Sequence, residues 1–423
     1  MLRGLSIQAA PLAMLGLLWP PFCDLPEWAG GGGGSGGADT GGAGGVGADA
    51  GEGGEAGSGG AEPEVGEPVL GCAAGEWPSQ ARFELLPALP FDDLVEEAGP
   101  WKLSADGEVV VTSYVADRYL ADPDGHRPVF WKGGVWDWVD PETSGTPTAI
   151  SCDGSVIVGR KSRFDGFIKK ADTPLVVLPG EPPTWVAIPY ATSADGAVTV
   201  GDLLHIYPAI PFGETRPVVW ALDGEATFLE TTELRSLRHV RYDGELLAGG
   251  LNYCYFGLGC PFLGGLFFTD VSLNETVYEE TPWDIISSDF STSTGHIAPP
   301  NYANGDLYEV ALFRPPDDLT VMPCPASEQC SIPGISSRGN IVLVTDVSYT
   351  APPVARVWTA GHGYRSLVDL LAVDGVLFQD FVFYPSDMSD DGRVILGWGS
   401  FTYENGEQEQ GQFRLLLPRD FYE

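Results

Sequence analysis

Five histidines stand in the chain, His126, His205, His239, His296 and His362, and each falls in a different stretch with no ligand spacing to another. The patterns that announce common chemistries are absent from the folded part: no HExxH zinc helix, no GxSxG nucleophile elbow outside the glycine run of residues 30–37, no phosphate-binding P-loop and no GxGxxG opening a helix. Asp122-Pro123-Asp124-Gly125 starts like a calcium loop but lacks the later acidic ligand, so it reads as a solvated acidic turn. Carboxylates are plentiful, with 59 Asp and Glu, and glycoside hydrolysis needs only two that face one another. Nothing in the sequence singles out such a pair. No catalytic residue, metal or cofactor is assigned, and a non-catalytic role is preferred to an enzymatic one.

Seven cysteines remain to be placed. Cys254 and Cys260 in CYFGLGC share one spacing with Cys324 and Cys330 in CPASEQC, and each pair closes a small loop. Zinc would want closer CxxC pairs or a histidine inside the loop, so local disulfides are expected. By elimination Cys72 would pair with Cys152, leaving Cys23 alone.

The element that must position any site is a repeat. SADGEVVVTS begins at Ser104, SCDGSVIVGR at Ser151, SADGAVTVGD at Ser193, RYDGELLAGG at Arg241, SSRGNIVLVT at Ser336 and SDDGRVILGW at Ser389, with a worn copy, STSTGHIAPP, at Ser291. From Asp106 to Asp391 the spacing averages about 47 residues, within the range of solenoids, arrays and propellers. In five of the seven copies Asp-Gly forms the turn, because Asp tolerates and Gly favours the positive φ that a tight hairpin requires. The alternating, β-branched run after it is the paired strand.

A second hairpin follows, as at Gly166 to Lys170 and Pro174 to Leu178. Its first strand carries an aromatic residue in RPVFWKGG from Arg127, RPVVWALDG from Arg216, GGLFFTDVS from Gly264 and ARVWTAGHG from Ala355. These rings are expected to pack between neighbouring sheets. Fourth strands are expected at Val135 to Val139, Ala226 to Leu229, Glu275 to Tyr278, Leu319 to Met322 and Tyr364 to Leu370. Seven four-stranded units predict an all-β, seven-bladed β-propeller over residues 72–423, in which radial stacking covers the sheet faces. The last unit lacks an outer strand and an orphan strand, Arg82 to Leu86, precedes the first. Closure by that N-terminal strand is the expectation.

The SxDGxVxVG strands alternating with an aromatic-x-Trp-Thr/Lys-x-Gly strand resemble the bacterial extracellular HAF-type repeats, over about Ala81 to Pro418. The His-Ala-Phe signature itself is replaced, by Pro128-Val129-Phe130, Pro217-Val218-Val219 or Gly265-Leu266-Phe267. The resemblance implies an exported propeller and assigns no reaction.

Residues 1–29 hold Arg3, an apolar run from Ala9 to Trp19 and then Cys23, the layout of an export signal. Residues 30–71 are mostly Gly, Ala and acidic residues, too little apolar surface to offset the entropy of ordering, and read as a disordered tether. A Cys closing such a signal resembles bacterial surface lipoproteins of the myxobacterial kind with a Gly-rich tether. Acylation at Cys23 and cleavage near Ala29 with free secretion both stay open. The expected location is the outer-membrane-anchored cell surface or the medium.

A formal charge of -37 repels phosphate backbones and anionic lipids, so no nucleic-acid partner is expected and a membrane is met only through a lipid anchor. The connections between second and third strands are long and unlike one another, which is where binding residues sit on a rigid scaffold. They bring a candidate ligand face of Tyr114, Tyr119, His205, Tyr207, Phe212, Tyr253, Tyr255, Phe256, Phe262 and Tyr403. Such rings suit a glycan or a protein partner at the cell surface, met by a monomer. The rival readings are a carbohydrate-active hydrolase or lyase with acidic residues at the central channel, and a structural spacer. Trp283 to Pro323, the most eroded repeat, is the first place to expect an exception.

Overall fold

The computed structural model describes residues 75–89, 96–97, 100–115, 126–162, 164–180, 184–205, 215–229, 235–251, 265–270, 275–279, 285–287, 290–297, 309–315, 318–322, 329–347 and 353–422. All of them fall in Pro63–Glu423, the second of the two units into which the chain divides.

The fold is an all-β propeller. In the second repeat Thr146–Ile150, Val156–Arg160, Gly166–Lys170 and Val176–Leu178 pair in that order, each antiparallel to the next. First strands of successive repeats lie side by side: Lys102–Leu103 beside Thr146–Ile150, that strand beside Trp185–Thr192, and the latter beside Arg235–Val240. On the other side of the ring Ile285–Ile286 lies beside Gln329–Ile335, which lies beside Phe378–Met388, which returns to Lys102–Leu103. First strands are therefore the inner ones.

Six sheets keep the four-stranded plan, and the sheet of the first repeat departs from the seven like units expected. It has five strands, because two short pieces, Glu96–Glu97 and Lys102–Leu103, share one edge of Val109–Val115. Pro100 stands between them and offers no N–H to a ladder. Two further expectations are corrected. The run Tyr364 to Leu370 is a strand only over Gly363–Ser366 and then becomes the helix Leu367–Val373, whose Leu367, Leu370 and Leu371 are buried. Leu367, Leu370 and Leu371 recur at three to four residues, a helical period that outweighs the repeat template.

The fifth repeat also turns elsewhere than at Ser291. Its turn is Ser287 to Thr292, with the Thr292 N–H donating to the Ser287 Oγ at 3.0 Å and the Phe290 N–H to the Ser287 carbonyl. Phe290 occupies the glycine position with φ +62°, and its ring packs on Phe268 in the neighbouring sheet at 5.6 Å.

Five of the other six turns share one chemistry, and the fourth repeat has Arg241 in the serine position, donating to Asp243. The buried Ser hydroxyl accepts the N–H five residues on: Ser104 from Val109 at 2.8 Å, Ser151 from Val156 at 2.9 Å, Ser193 from Val198 at 3.0 Å, Ser336 from Ile341 at 3.0 Å and Ser389 from Val394 at 2.8 Å. Four of those hydroxyls donate to the turn's own Asp, at Asp106, Asp153, Asp195 and Asp391. The glycine is needed twice over at Gly154, where φ is +71° and a Cβ would stand 2.3 Å from Val109 of the preceding sheet. Adjacent turns are also tied by backbone hydrogen bonds: Asp390 N–H to the Ala105 carbonyl, Asp106 to Cys152, Cys152 to Ala194, Ala194 to Tyr242 and Ser337 to Asp390. One rim of the propeller is thus a hydrogen-bonded belt.

The termini close the ring as the orphan strand implies. Arg82–Leu85 pairs antiparallel with Gln408–Leu416, Arg82 opposite Leu416 and Leu85 opposite Phe413. Phe83 enters a cluster of rings, 4.4 Å from Phe401, 5.7 Å from Phe383 and 5.8 Å from Phe413. Arg393 and Arg414 complete the seam. Arg393 donates to the carbonyls of Glu76 and Asp106 and to Glu108 at 3.0 Å, and Arg414 donates to the Gly107 carbonyl at 2.6 Å and to Glu84 at 3.3 Å.

Candidate functional site

Three members of the expected ligand face are described, each at the end of a second strand. Tyr114 ends up buried, its ring 5.4 Å from Trp138, and burial pushes its hydroxyl pKa up. His205 lies opposite Trp185 in register with ring centroids 4.6 Å apart, and the Arg216 guanidinium covers the other partner of that stack, 4.2 Å from the Trp185 ring. The Tyr403 hydroxyl donates to Glu409 at 2.9 Å, and burial together with that carboxylate raises its pKa. Each packs within its own sheet, and the structure does not bring the three together. Tyr119, Tyr207, Phe212, Tyr253, Tyr255, Phe256 and Phe262 lie outside the described residues, as do Cys23, Cys72, Cys254, Cys260 and Cys324. Cys152 and Cys330 are disulfide-bonded. Among the described residues no group of three or more His, Cys, Asp or Glu could hold a metal ion, and no helix is long and apolar enough to cross a membrane.

The polar cluster that the sequence did not announce sits on the inner strands of the second to fourth repeats. Register shifts interrupt those strands between Pro147 and Ala149, between Pro189 and Ala191, and between Leu237 and His239. A bulge leaves one residue unpaired and turns it aside. Here the residues are Thr148, Tyr190 and Arg238, and each bulge meets the next. The Thr148 hydroxyl donates to the Pro189 carbonyl at 2.7 Å, and the Arg238 guanidinium carbon lies 3.7 Å from the centre of the Tyr190 ring.

Beside them Asp202, 1% exposed, accepts from the Ser236 hydroxyl at 2.5 Å and from the Leu237 N–H at 3.0 Å. Arg238 Nε donates in turn to the Ser236 Oγ at 2.6 Å. Burial is the main influence on Asp202 and pushes its pKa up to about 6, against the attraction of Arg238 and its two hydrogen bonds. Tyr190 is raised, again chiefly by burial. Arg160, at the end of the second repeat's second strand, is near enough to Tyr190 for each to affect the other's titration, and its own pKa is lowered by burial.

A carboxylate gripping a serine hydroxyl has the first two parts of a nucleophile pair. Ser236 is fully buried, however, and no histidine contact to it is present among the described residues, so the Asp202–Ser236 bond joins the third sheet to the fourth. What remains half-exposed are Arg160, Tyr190 and Arg238. The one sequence signal for this region is the proline four residues before a repeat's serine, at Pro147 and Pro189, which marks the bulge.

No family model matches the chain, and no curated protein does. Among solved structures it is similar to the β-propeller domain of the Trilobed protease from Pyrococcus furiosus, a domain described as having an open velcro topology. Identity is 9%, coverage is 75% of this chain and 97% of that one, and the TM-score is 0.50. It is also similar to a prolyl endopeptidase (14% identity, 73% of this chain and 47% of that one, TM-score 0.47) and to TolB from Acinetobacter baumannii (12%, 62% and 63%, 0.38). The chain spans about half the length of the prolyl endopeptidase. The likeness to the Trilobed protease domain concerns the fold, and the class that it and the sheets define is that of the β-propeller proteins.

Proposed function

We propose that the protein is a non-catalytic binding module, secreted or held at the bacterial surface, that presents one propeller rim to a glycan or protein partner. The observation that carries this reading is the contrast between rims. The Ser-x-Asp-Gly turns are built alike and tied into a belt, while the connections on the opposite rim differ in length and composition from repeat to repeat. Uniform turns make a scaffold, and variable connections on a scaffold make a recognition surface.

Around this reading stand further parts of the same proposal. The five-stranded sheet serves as the seventh blade, and the chain works as a monomer. Cys152 pairs with Cys72 and Cys330 with Cys324, while Cys254 and Cys260 pair with each other. The repeats are of the HAF type, and the N-terminal 71 residues are an export signal and tether, with Cys23 as the point of acylation when the protein is anchored.

The test is a glycan array probed with the purified mature protein, followed by product analysis on every glycan bound. Binding without new reducing ends is the expected result. New reducing ends would replace the proposal with a hydrolase or lyase. No binding to glycans, together with no partner in a surface cross-linking experiment, would leave a spacer.

A further inference from the structure

We infer that Arg160, Tyr190 and Arg238 form a site for the carboxylate of an acidic glycan, a uronic acid residue, bound against the inner strands of the second to fourth repeats. This inference rests on the binding-module reading and adds to it the chemistry of the ligand and a place for it.

The argument begins with charge. The chain has 22 Lys and Arg against 59 Asp and Glu, so carboxylates that could pair with an arginine are plentiful. Among the described residues no carboxylate lies within ion-pair distance of Arg160 or Arg238, whereas Arg241, Arg314, Arg356, Arg393 and Arg414 each have one. Asp202 is the acid nearest in kind, but its two oxygens are engaged by Ser236 and Leu237. Burial also favours its neutral form, which weakens its hold on Arg238 further.

Geometry supplies the second part. Arg238 lies with its planar group over the Tyr190 ring, and its Nε is used on Ser236. Stacking occupies the face of a guanidinium and leaves its edge, so the two terminal nitrogens remain for an in-plane, two-point bond to a carboxylate. Arg160 stands on the preceding sheet opposite Thr146, two residues before Thr148, whose hydroxyl donates to the Pro189 carbonyl next to Tyr190. The three side chains are half-exposed, which admits a ligand, and they stand on strands of a rigid ring.

The acidity of the whole chain does not oppose this. At physiological ionic strength the screening length is about 8 Å, so remote carboxylates fade while arginines in contact with a bound anion act at full strength.

Isothermal titration of the full mature chain with tri-galacturonate, its methyl ester and a neutral galactose trimer tests the inference. The acid should bind and its ester should bind at least about tenfold more weakly, because a charge-assisted pair is replaced by a neutral contact. Arg160→Gln and Arg238→Gln should each weaken the acid about tenfold or more, Arg160→Gln with an unchanged melting midpoint and Arg238→Gln while still folded at the titration temperature, and Arg238→Lys should fall between. Arg314→Gln, on an outer hairpin, is the control and should bind as the parent does. Equal affinity for acid and ester, or full affinity in both glutamine variants, overturns the site. Binding of neutral glycans alone overturns the site and leaves the module reading standing, whereas no binding to any glycan or partner removes both.

Discussion

At the seam where the chain's ends meet, Arg393 is 2% exposed and has Asp391, itself 4% exposed, at 3.5 Å and Glu108 at 3.0 Å, while Arg414 faces Glu84 and Glu108. On the fourth sheet Arg238 lies over the Tyr190 ring and bonds Ser236, and neither it nor Arg160 on the second sheet has an ion pair among the described residues. Both pairs bridge sheets that are remote or adjacent in sequence, and both are partly withdrawn from water. The difference shows what each is for. A buried cation that a fold uses as a bolt is matched by anions and carbonyls, since an unmatched one costs several kcal/mol. A half-exposed cation left unmatched is available to something else.

The largest effect expected from this contrast is at the seam. Arg393→Ala leaves Asp391 buried without its partner and two carbonyls without a donor, and should cost about 3 kcal/mol. The Glu108 share is discounted because that side chain is 47% exposed. Arg414→Ala, whose Glu84 is 35% exposed, should cost less, about 2 kcal/mol. Urea denaturation would read both, and limited proteolysis near residue 86 should quicken as the N-terminal strand loosens. A loss below about 1 kcal/mol in Arg393→Ala would mean that the ring cluster around Phe83 closes the propeller unaided.

The same contrast explains what could be read in advance. Ser-x-Asp-Gly turns and the orphan strand at Arg82 are local patterns, and the chain obeys them because each turn's hydrogen bonds are made within its own six residues. The fifth repeat's turn is not legible in the sequence because Phe290 stands where the other turns have a glycine. Phe290 takes the same positive φ, a conformation that costs a residue with a Cβ about 1–2 kcal/mol, and its ring contact with Phe268 offsets that cost. The Tyr114, His205 and Tyr403 rings were legible as aromatic positions but not as packed ones, since what covers each is a residue on another strand. Least legible was the Arg160–Tyr190–Arg238 group. Its members are in three repeats, and two of them, Tyr190 and Arg238, are turned aside by bulges.

Asp202 offers a smaller and pH-dependent way to sharpen the comparison. Its carboxyl holds a proton more tightly in the folded chain, with a pKa of about 6, than in the unfolded chain, where an aspartate sits near 3.9. Its contribution is therefore fullest below about pH 4, falls as pH rises, and is gone above about pH 6, a swing of at most about 3 kcal/mol. Asp202→Asn keeps an acceptor for the Leu237 N–H and removes the titration. Relative to the parent, its melting midpoint should gain between pH 4 and 6 and then hold level. A difference that stays flat across that range would mean that Arg238 and Ser236 stabilise the carboxylate as well as water does.

The smallest effect is the one on which the comparison turns. Arg160→Gln takes away no ion pair among the described residues and relieves a charge whose pKa is already lowered by burial, so the aliphatic stem is all the fold loses. Its urea midpoint should shift by less than about 0.5 kcal/mol in either direction, as a surface substitution would. Were it to cost as much as Arg393→Ala, Arg160 would be a bolt like the seam arginines, and its lack of a carboxylate would reflect partners of another kind. A near-zero cost places the reason for a semi-buried guanidinium outside the requirements of folding. That outcome is the one the proposed carboxylate site at Arg160, Tyr190 and Arg238 requires.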